Sequence, residues 1–270
     1  MDKLSALQEF IGKYDSALIA FSGGVDSTFL AKVAAEVLGE RVLLVTATSC
    51  TYPASELEDA KRLAVQLGIR HKVIISEEID IPGFAQNTPD RCYHCKHELF
   101  TRLKNMAEEE HLAVVFEGST VDDLSDYRPG KRAIKELSII SPLLETEFTK
   151  DEIRSCSAQL QLETAVKPSY ACLASRFPYG ETITREKLTR VGNAEKAMKK
   201  LGFRQFRVRS HENLARIEVA ADQIDQAWNK RKKIDTACRE AGFTYTALDL
   251  RGYRTGAMNE VLSPEEKKES

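Results

Sequence analysis

The sequence predicts an α/β protein: a doubly wound, mostly parallel sheet followed by a second, smaller α+β domain. Three observations predict it. Short apolar runs alternate with helix-period segments up to residue 118, the pattern of strands joined by right-handed helical crossovers. A glycine pair stands directly after the first apolar run. From residue 184 the order changes to a helix, a hairpin, a helix and a strand, which reads as a separate unit with its boundary near Gly180.

Each element has its own signal. "ALIAF" (17–21) is a short apolar run suited to a buried strand. "STFLAKVAAEVLG" (27–39) spaces Phe29, Leu30, Val33, Val37 and Leu38 as a helix does, with Gly39 as the stop. "RVLLVTATS" (41–49) is the second strand, "ASELEDAKRLAVQLG" (54–68) a helix closed by Gly68, and "HKVIIS" (71–76) the third strand. Residues 95–110 read as helix and "LAVVFEG" (112–118) as the fourth strand. "TKDE" is a capping box, with Thr149 as N-cap and Glu152 three residues on. The long segment "ETAVKPSYACLASRFPYG" (163–180) is irregular. Beyond it come a helix over 184–201, a hairpin over 203–220, a helix over 221–241 and the strand "YTALDL". The charged tail "SPEEKKES" is expected to fray.

Composition narrows the class. At 42% hydrophobic residues the 270-residue chain can bury a sizeable core. A net charge of −2 gives no global basic field, so nucleic acid is not the expected partner. No apolar run reaches the length of a membrane span. "MDKLSALQEFIGKY" is amphipathic and lacks the apolar core of a signal peptide, so a cytoplasmic protein with no membrane partner is expected. The six cysteines are not spaced as a disulfide framework. In a reducing compartment they are thiols, metal ligands or catalysts.

The stretch "AFSGGVDST" (20–28) carries the first chemistry. A strand, then Ser-Gly-Gly-Val-Asp-Ser, then a helix presents consecutive N–H groups at a helix N-terminus, which is an anion site. Glycines let the backbone approach phosphate closely, and Ser22, Ser27 and Thr28 add hydroxyl donors. A tight turn with Asp26 or Ser27 as N-cap is the plainer reading, and it is compatible with phosphate binding. The motif is neither a Walker A loop nor a dinucleotide fingerprint.

"SGGVDS" resembles the PP-loop of the ATP pyrophosphatases. That resemblance implies that Ser22, Gly23, Gly24, Asp26 and Ser27 grip the β and γ phosphates of ATP with Mg²⁺, with Asp26 also in a catalytic role. It implies adenylation of a substrate oxygen, which makes AMP the leaving group for an incoming nucleophile.

Three further segments specify the nucleophile and the substrate. "GSTVDDLSDYRPG" (118–130) follows the fourth strand, and "CLASRFPYG" (172–180) sets a cysteine beside an arginine. "RVRSHENLARIE" (207–218) puts Arg207 and Arg209 on one face of a strand. Asp122, Asp123 and Asp126 alone would most often be a solvated acidic loop, but this loop leaves the ligand end of a strand, which favours a functional role; the arginine pair reads equally as an exposed hairpin face. Together the segments resemble the LarE family of pyridinium-3,5-biscarboxylic acid mononucleotide sulfurtransferases, over residues 4–262. These help build the nickel-pincer cofactor of lactate racemase. The resemblance implies a sulfur donor at Cys172, a clamp for the substrate phosphate at Arg207 and Arg209, and substrate contacts at Arg176, Asp126 and Arg128. It sets Glu195 and Glu218 where the family has acidic residues associated with a cation. Residues 1–180 are then the ATP pyrophosphatase domain, and 181–270 a domain for substrate binding and oligomerisation, in a homo-oligomer.

The last motif is "PDRCYHCKHE", with Cys92 and Cys95 three apart. Alone it reads as zinc, with His94 or His97 adding nitrogen, as a redox dithiol, or as chance at a helix start. Some family members sacrifice the sulfur of one cysteine and keep dehydroalanine. Three thiols, Cys92, Cys95 and Cys172, could instead hold a 4Fe–4S cluster with one iron open. A similar cysteine pattern occurs in cluster-dependent tRNA thiolases of the PP-loop class, the nearest rival reading. A non-catalytic nucleotide-binding module with structural zinc is the other. Cys50, Cys156 and Cys238 are expected to be small buried hydrophobes.

Overall fold

A computed structural model describes residues 2–125, 127–168, 171–263 and 265. The chain divides into two compact units: Met1–Glu77 with Cys92–Tyr170, and Glu78–Arg91 with the chain from Ala171 on.

In the first unit α1 (Lys3–Ile11) precedes β1 (Ala17–Ala20), α2 (Val25–Leu38), β2 (Val42–Thr48), α3 (Ala54–Leu67) and β3 (Arg70–Ile75). Then come α4 (Arg91–Glu109), β4 (Val114–Phe116), α5 (Gly130–Glu136), α6 (Pro142–Glu145) and α7 (Lys150–Gln159). The strands form one parallel sheet in the order β3-β2-β1-β4. Strand alternation covers it on both faces. Ala17, Ile19 and Leu44 pack with Phe29, Leu30 and Val33 of α2, Leu63 of α3 and Ile153 of α7. Leu18, Leu43 and Val45 face the other way, against Phe100 and Leu103 of α4 and Ile134 of α5. This is the doubly wound arrangement expected from the sequence. Gly68 ends α3 in the left-handed region at φ +67°, and its N–H bonds back to Ala64 and Val65 carbonyls. The capping box at Thr149 is present, with both reciprocal bonds to Glu152. Because β1 lies between β2 and β4, the chain reverses sheet direction there, and ligands of such sheets bind beyond the carboxyl ends of those strands.

The second unit holds α8 (Arg185–Lys200), the antiparallel pair β5 (Phe206–His211) and β6 (Leu214–Val219), then α9 (Ile224–Asn229), α10 (Arg231–Glu240) and β7 (Tyr245–Leu248), which pairs parallel with β6. Leu188, Val191, Met198, Val208, Ile217 and Ile234 form its core. The single helix expected over 221–241 is instead a 3₁₀ turn and two helices broken at Lys230. The break is a single residue, Lys230, whose ψ of 8° departs from the helical value, while its side chain donates to the Leu201 carbonyl at 2.6 Å, beyond the end of α8. Of the three cysteines expected inside, Cys238 is buried while Cys50 and Cys156 are half-buried. Among the described residues no helix is long and apolar enough to cross a membrane.

Candidate active site

The loop after β1 is organised by its own side chains. Gly23 has φ +65°, and a Cβ there would stand 3.0 Å from the Ala60 Cα of α3. Only glycine fits that backbone and that approach. Ser22 and Ser27 hydroxyls lie 3.1 Å apart, and Ser27 also accepts from the Ser22 N–H and donates to the Gly24 carbonyl, each at 3.3 Å. Gly24, rather than Asp26 or Ser27, is the N-cap of α2, and no side chain caps it. The Gly24 N–H donates to Ser22 Oγ at 3.3 Å; the amides of the turn that follows receive no N-cap side chain and lie at the dipole's positive end, where an anion is favoured.

Asp26 sits on this turn with its two oxygens differently placed. Oδ2 is bonded by the Lys150 ammonium, while Oδ1 is buried with no hydrogen-bond partner. Burial pushes its carboxyl pKa up, against the pull of Lys150. Gly118, just past β4, approaches closely, its Cβ position 3.5 Å from the Asp26 Cβ. A second lysine braces the loop. Lys167 donates to the Gly23 carbonyl at 3.2 Å and pairs with Glu56 at 2.8 Å and Asp59 at 3.2 Å. The Tyr52 hydroxyl donates to the Ser22 carbonyl at 2.7 Å.

The acidic loop after β4 is built rather than loosely solvated. Asp123 accepts from the Thr120 N–H at 2.9 Å and pairs with Arg128 at 2.8 Å. Asp122 accepts from the Lys150 N–H at 2.6 Å. Asp126 lies outside the described residues. The loop ends at Gly130, where a Cβ would fall 2.6 Å from Lys96 Cδ and 3.3 Å from the Cys92 carbonyl. The acidic loop and the cysteine turn therefore meet within this unit. Cys92, exposed, and Cys95, half-buried, occupy the first turn of α4, three residues apart.

In the second unit the segment before α8 is held by arginines and an asparagine. Arg176 has no exposed surface. Its Nε and Nη2 grip the two oxygens of Glu195 at 2.7 and 2.9 Å, and Nη1 donates to the Ala171 carbonyl at 3.0 Å and the Cys172 carbonyl at 3.3 Å. Glu195 also accepts from the Val208 N–H at 3.0 Å. Arg209 grips Glu218 through Nε and Nη2 at 3.0 and 2.8 Å and donates to the Ser175 carbonyl at 2.8 Å. Arg216 lies 3.1 Å from the other Glu218 oxygen. Asn87 donates to the Phe177 and Pro178 carbonyls at 3.3 and 2.6 Å, and Arg91 donates to the Ala174 carbonyl at 3.0 Å. Cys172 stands exposed at the edge of this bonded segment.

Arg207 and Arg209 do share a strand face, and the register sets Glu218 opposite Arg207. Arg207 stacks over the Tyr253 ring with its guanidinium 4.9 Å from the centroid. Burial and the nearby Arg176 charge lower its pKa, which remains far above neutrality for an arginine. Both expected cation residues, Glu195 and Glu218, are thus engaged by arginines. Among the described residues no three His, Cys, Asp or Glu side chains are gathered as a metal site.

Comparison with known proteins gives the family. The protein-family model described as NAD synthase matches residues 5–107, the part that carries the phosphate loop. An uncharacterised protein of Synechocystis sp. is 46% identical over 97% of this chain and 98% of its own length. The pyridinium-3,5-bisthiocarboxylic acid mononucleotide synthase of Lactiplantibacillus plantarum is 36% identical over 91% of this chain and 89% of its own. The chain belongs to the LarE family. It is an enzyme, a sulfurtransferase of the PP-loop class. A glutamine-hydrolysing GMP synthase of Thermoplasma acidophilum has one subunit that is 26% identical over 56% of this chain and 53% of its own length.

For this LarE-family enzyme the donor set at the loop suits a hard divalent cation bound with ATP. Mg²⁺ takes oxygen ligands, commonly one or two carboxylates plus phosphates, and Asp26 Oδ1 is a buried carboxylate oxygen without a partner. For the cysteines, Cys92 and Cys95 stand three residues apart at the start of α4 and can serve two corners of a cluster, while Cys172 belongs to the second unit. Residues that the sequence did not single out include Lys150, Lys167, Tyr52, Asn87, Arg91 and Arg216. Lys150 lies inside the capping box "TKDE" and was visible only as a helix signal.

Proposed function

We propose that this LarE-family enzyme uses ATP to adenylate a carboxylate of pyridinium-3,5-biscarboxylic acid mononucleotide and then installs sulfur to leave a thiocarboxylate. The product serves the nickel-pincer cofactor of lactate racemase. The observation that carries the reading is the 36% identity, across about nine-tenths of both chains, to a synthase of the corresponding bisthiocarboxylic acid. The chemistry agrees with the site. A carboxylate oxygen is a poor leaving group. Attack of that oxygen on the α-phosphorus of ATP releases pyrophosphate and gives an acyl adenylate. A sulfur nucleophile then attacks the acyl carbon and AMP departs. The uncapped loop, Ser22 to Ser27, holds the phosphates, Mg²⁺ on Asp26 offsets their charge, and Cys172 brings the sulfur. Arg207 and Arg209 hold the phosphate of the mononucleotide, with Arg128 and Asp126 completing the substrate contacts. Arg176 orients the carbonyls around Cys172. In this reading residues 181–270 serve substrate binding and assembly of a cytoplasmic homo-oligomer, with no nucleic-acid partner.

The finer form of the proposal gives Cys92, Cys95 and Cys172 a 4Fe–4S cluster. The two thiols one helical turn apart support it. Neither adenylation nor the departure of AMP requires it.

The test is direct. Enzyme, ATP, Mg²⁺ and the biscarboxylic mononucleotide should release pyrophosphate and AMP, and the nucleotide product should gain the mass of an oxygen-to-sulfur exchange. Asp26→Asn should cut pyrophosphate release at least tenfold, since a charge-assisted contact is worth about 1.5–3 kcal/mol. Pyrophosphate release that ignores the mononucleotide would remove the substrate assignment. Arg207→Ala separates the two halves. It should weaken mononucleotide binding about tenfold or more and leave ATP binding unchanged, read by calorimetry on each ligand. Equal affinities for the mononucleotide in variant and wild type would return Arg207 to a structural role.

A further inference from the structure

We infer that the groove between the open edge of β7 and the turn from α9 to α10 binds an extended, acidic segment of another protein. That segment adds to the sheet as a further strand and seats an apolar side chain beside Trp228. The site uses none of the residues given to ATP, sulfur or the mononucleotide.

Three observations carry it. First, β7 is the edge of its sheet, in the order β5-β6-β7. Tyr245 and Asp249 donate to the Asn213 and Ile217 carbonyls. Alternate residues serve the ladder, so the N–H and C=O of Thr246 and Leu248 point to the open side. Among the described residues no hydrogen bond beyond the ladder engages them. No proline or lysine in β7 guards the edge, and Tyr245 and Leu250 are 65% and 86% exposed.

Second, a groove of about 320 Å³ runs beside this edge, with Ala227, Trp228 and Ile234 on one wall and Thr246, Ala247 and Leu248 on the other. Neighbouring side chains of a strand point to opposite faces. A groove that touches three in a row therefore follows the strand's edge rather than one face. Trp228, 61% exposed, forms its apolar lip.

Third, the rim is basic. The Arg231 guanidinium lies 4.9 Å from the Trp228 ring centroid and donates to the Trp228 carbonyl at 3.0 Å. Lys232 lines the groove and Lys233 follows it, both exposed. Among the described residues neither has an ion-pair partner. Asp235, the carboxylate of the groove, is already paired with Arg239 at 2.9 Å.

These features select the occupant. An extended backbone meets the open N–H and C=O groups of an edge strand, and pockets beside that edge choose its side chains. The unpaired cations choose acidic ones. A second copy adding through its own β7 fits worse. A two-fold axis normal to the sheet keeps both helix layers on one face and brings two sets of Arg231, Lys232 and Lys233 together, where like charges repel.

The probe is a short peptide, blocked at both ends, in which valine and isoleucine alternate with glutamate and aspartate. It should bind saturably, read from the emission of Trp228, the chain's one tryptophan, and its affinity should fall as salt rises. Hydrogen exchange of the Thr246 and Leu248 amides should slow several-fold on binding. Lys232→Glu with Lys233→Glu should weaken binding about tenfold or more and leave the melting temperature unchanged. A peptide with lysine at the acidic positions should not bind. The inference falls if the acidic peptide does not bind, if the two peptides bind alike, or if the double variant binds as tightly as wild type. It falls equally if the Thr246 and Leu248 amides are protected in the free enzyme and lose that protection as it dissociates on dilution, which gives the edge to a second copy. Vesicles of anionic phospholipid that shift Trp228 emission where the peptide does not would overturn it in favour of a membrane surface. Should the double variant melt below the working temperature, Lys232→Gln with Lys233→Gln carries the same measurement, with a smaller loss expected.

Discussion

Arg176→Met is expected to leave the second unit about 3–5 kcal/mol less stable, the usual cost of removing one partner of a buried ion pair. Arg176 has no exposed surface and Glu195 is 5% exposed, so the abandoned carboxylate cannot reach water. Three further bonds go with the guanidinium: those to the Ala171 and Cys172 carbonyls and to the Ser175 hydroxyl. The loss is read from the fluorescence of Trp228, the chain's one tryptophan, which lies in α9 of this unit, during urea unfolding. Its dependence on pH identifies the cause. In the wild type, burial pushes the Glu195 carboxyl up, but the Arg176 charge and hydrogen bonds outweigh it and hold the pKa below the ordinary value. A depressed folded pKa gives stability that is present above the unfolded value, about 4.3, and is lost as acid protonates the folded carboxylate. Without Arg176, burial is opposed only by the Val208 N–H and the charge of Arg207, and the folded pKa is expected to rise above the unfolded one. Stability of the variant then falls as pH rises above about 4.3, so the penalty should grow from pH 4 towards neutrality. Arg176→Met with Glu195→Gln removes both charges, keeps an acceptor for the Val208 N–H and should recover more than half of the loss. A single variant within about 1 kcal/mol of wild type at pH 7 would mean that the pair is not the clamp of this segment.

Much of the architecture was legible because it is written in short-range patterns. Ala17 and Ile19 face one helix layer and Leu18 the other, and a continuous apolar run is what such a two-sided strand requires. Gly68 and the Thr149 box marked helix ends by chemistry confined to a few residues. The turn at Ser22–Ser27 was legible for the same reason: strand, glycines, hydroxyls and helix are contiguous. What was hidden depends on residues distant in sequence. Nothing in Glu78–Arg91 announces that Asn87 and Arg91 bond the carbonyls of 174–178. Glu195 and Glu218 looked available for a cation until the fold set an arginine against each. Lys150 carries two signals at one position, and the helix start masked the partner of Asp26.

Cys172→Ala is expected to abolish thiocarboxylate formation while pyrophosphate release from ATP continues, because the sulfur step follows adenylation. The thiol is exposed, and the carbonyl of the same residue is held by Arg176, so loss of sulfur chemistry need not disturb the segment. The other two cysteines decide how the sulfur arrives. If Cys172 gives up its own sulfur, its thiolate first attacks the acyl adenylate and AMP leaves, forming a thioester. Loss of the Cys172 α-proton and cleavage of its Cβ–S bond then release the thiocarboxylate and leave dehydroalanine, so the protein loses the mass of H₂S. Each chain turns over once, and Cys92→Ala and Cys95→Ala behave as wild type. If the three thiols hold a cluster, anaerobically prepared wild type contains iron and sulfide, each of the three alanine variants loses both, and none turns over repeatedly when sulfide is supplied. The cysteine pattern leads us to expect this second result. Iron-free wild type that makes one equivalent of product and loses H₂S at Cys172 would overturn it, leaving Cys92 and Cys95 outside the sulfur chemistry.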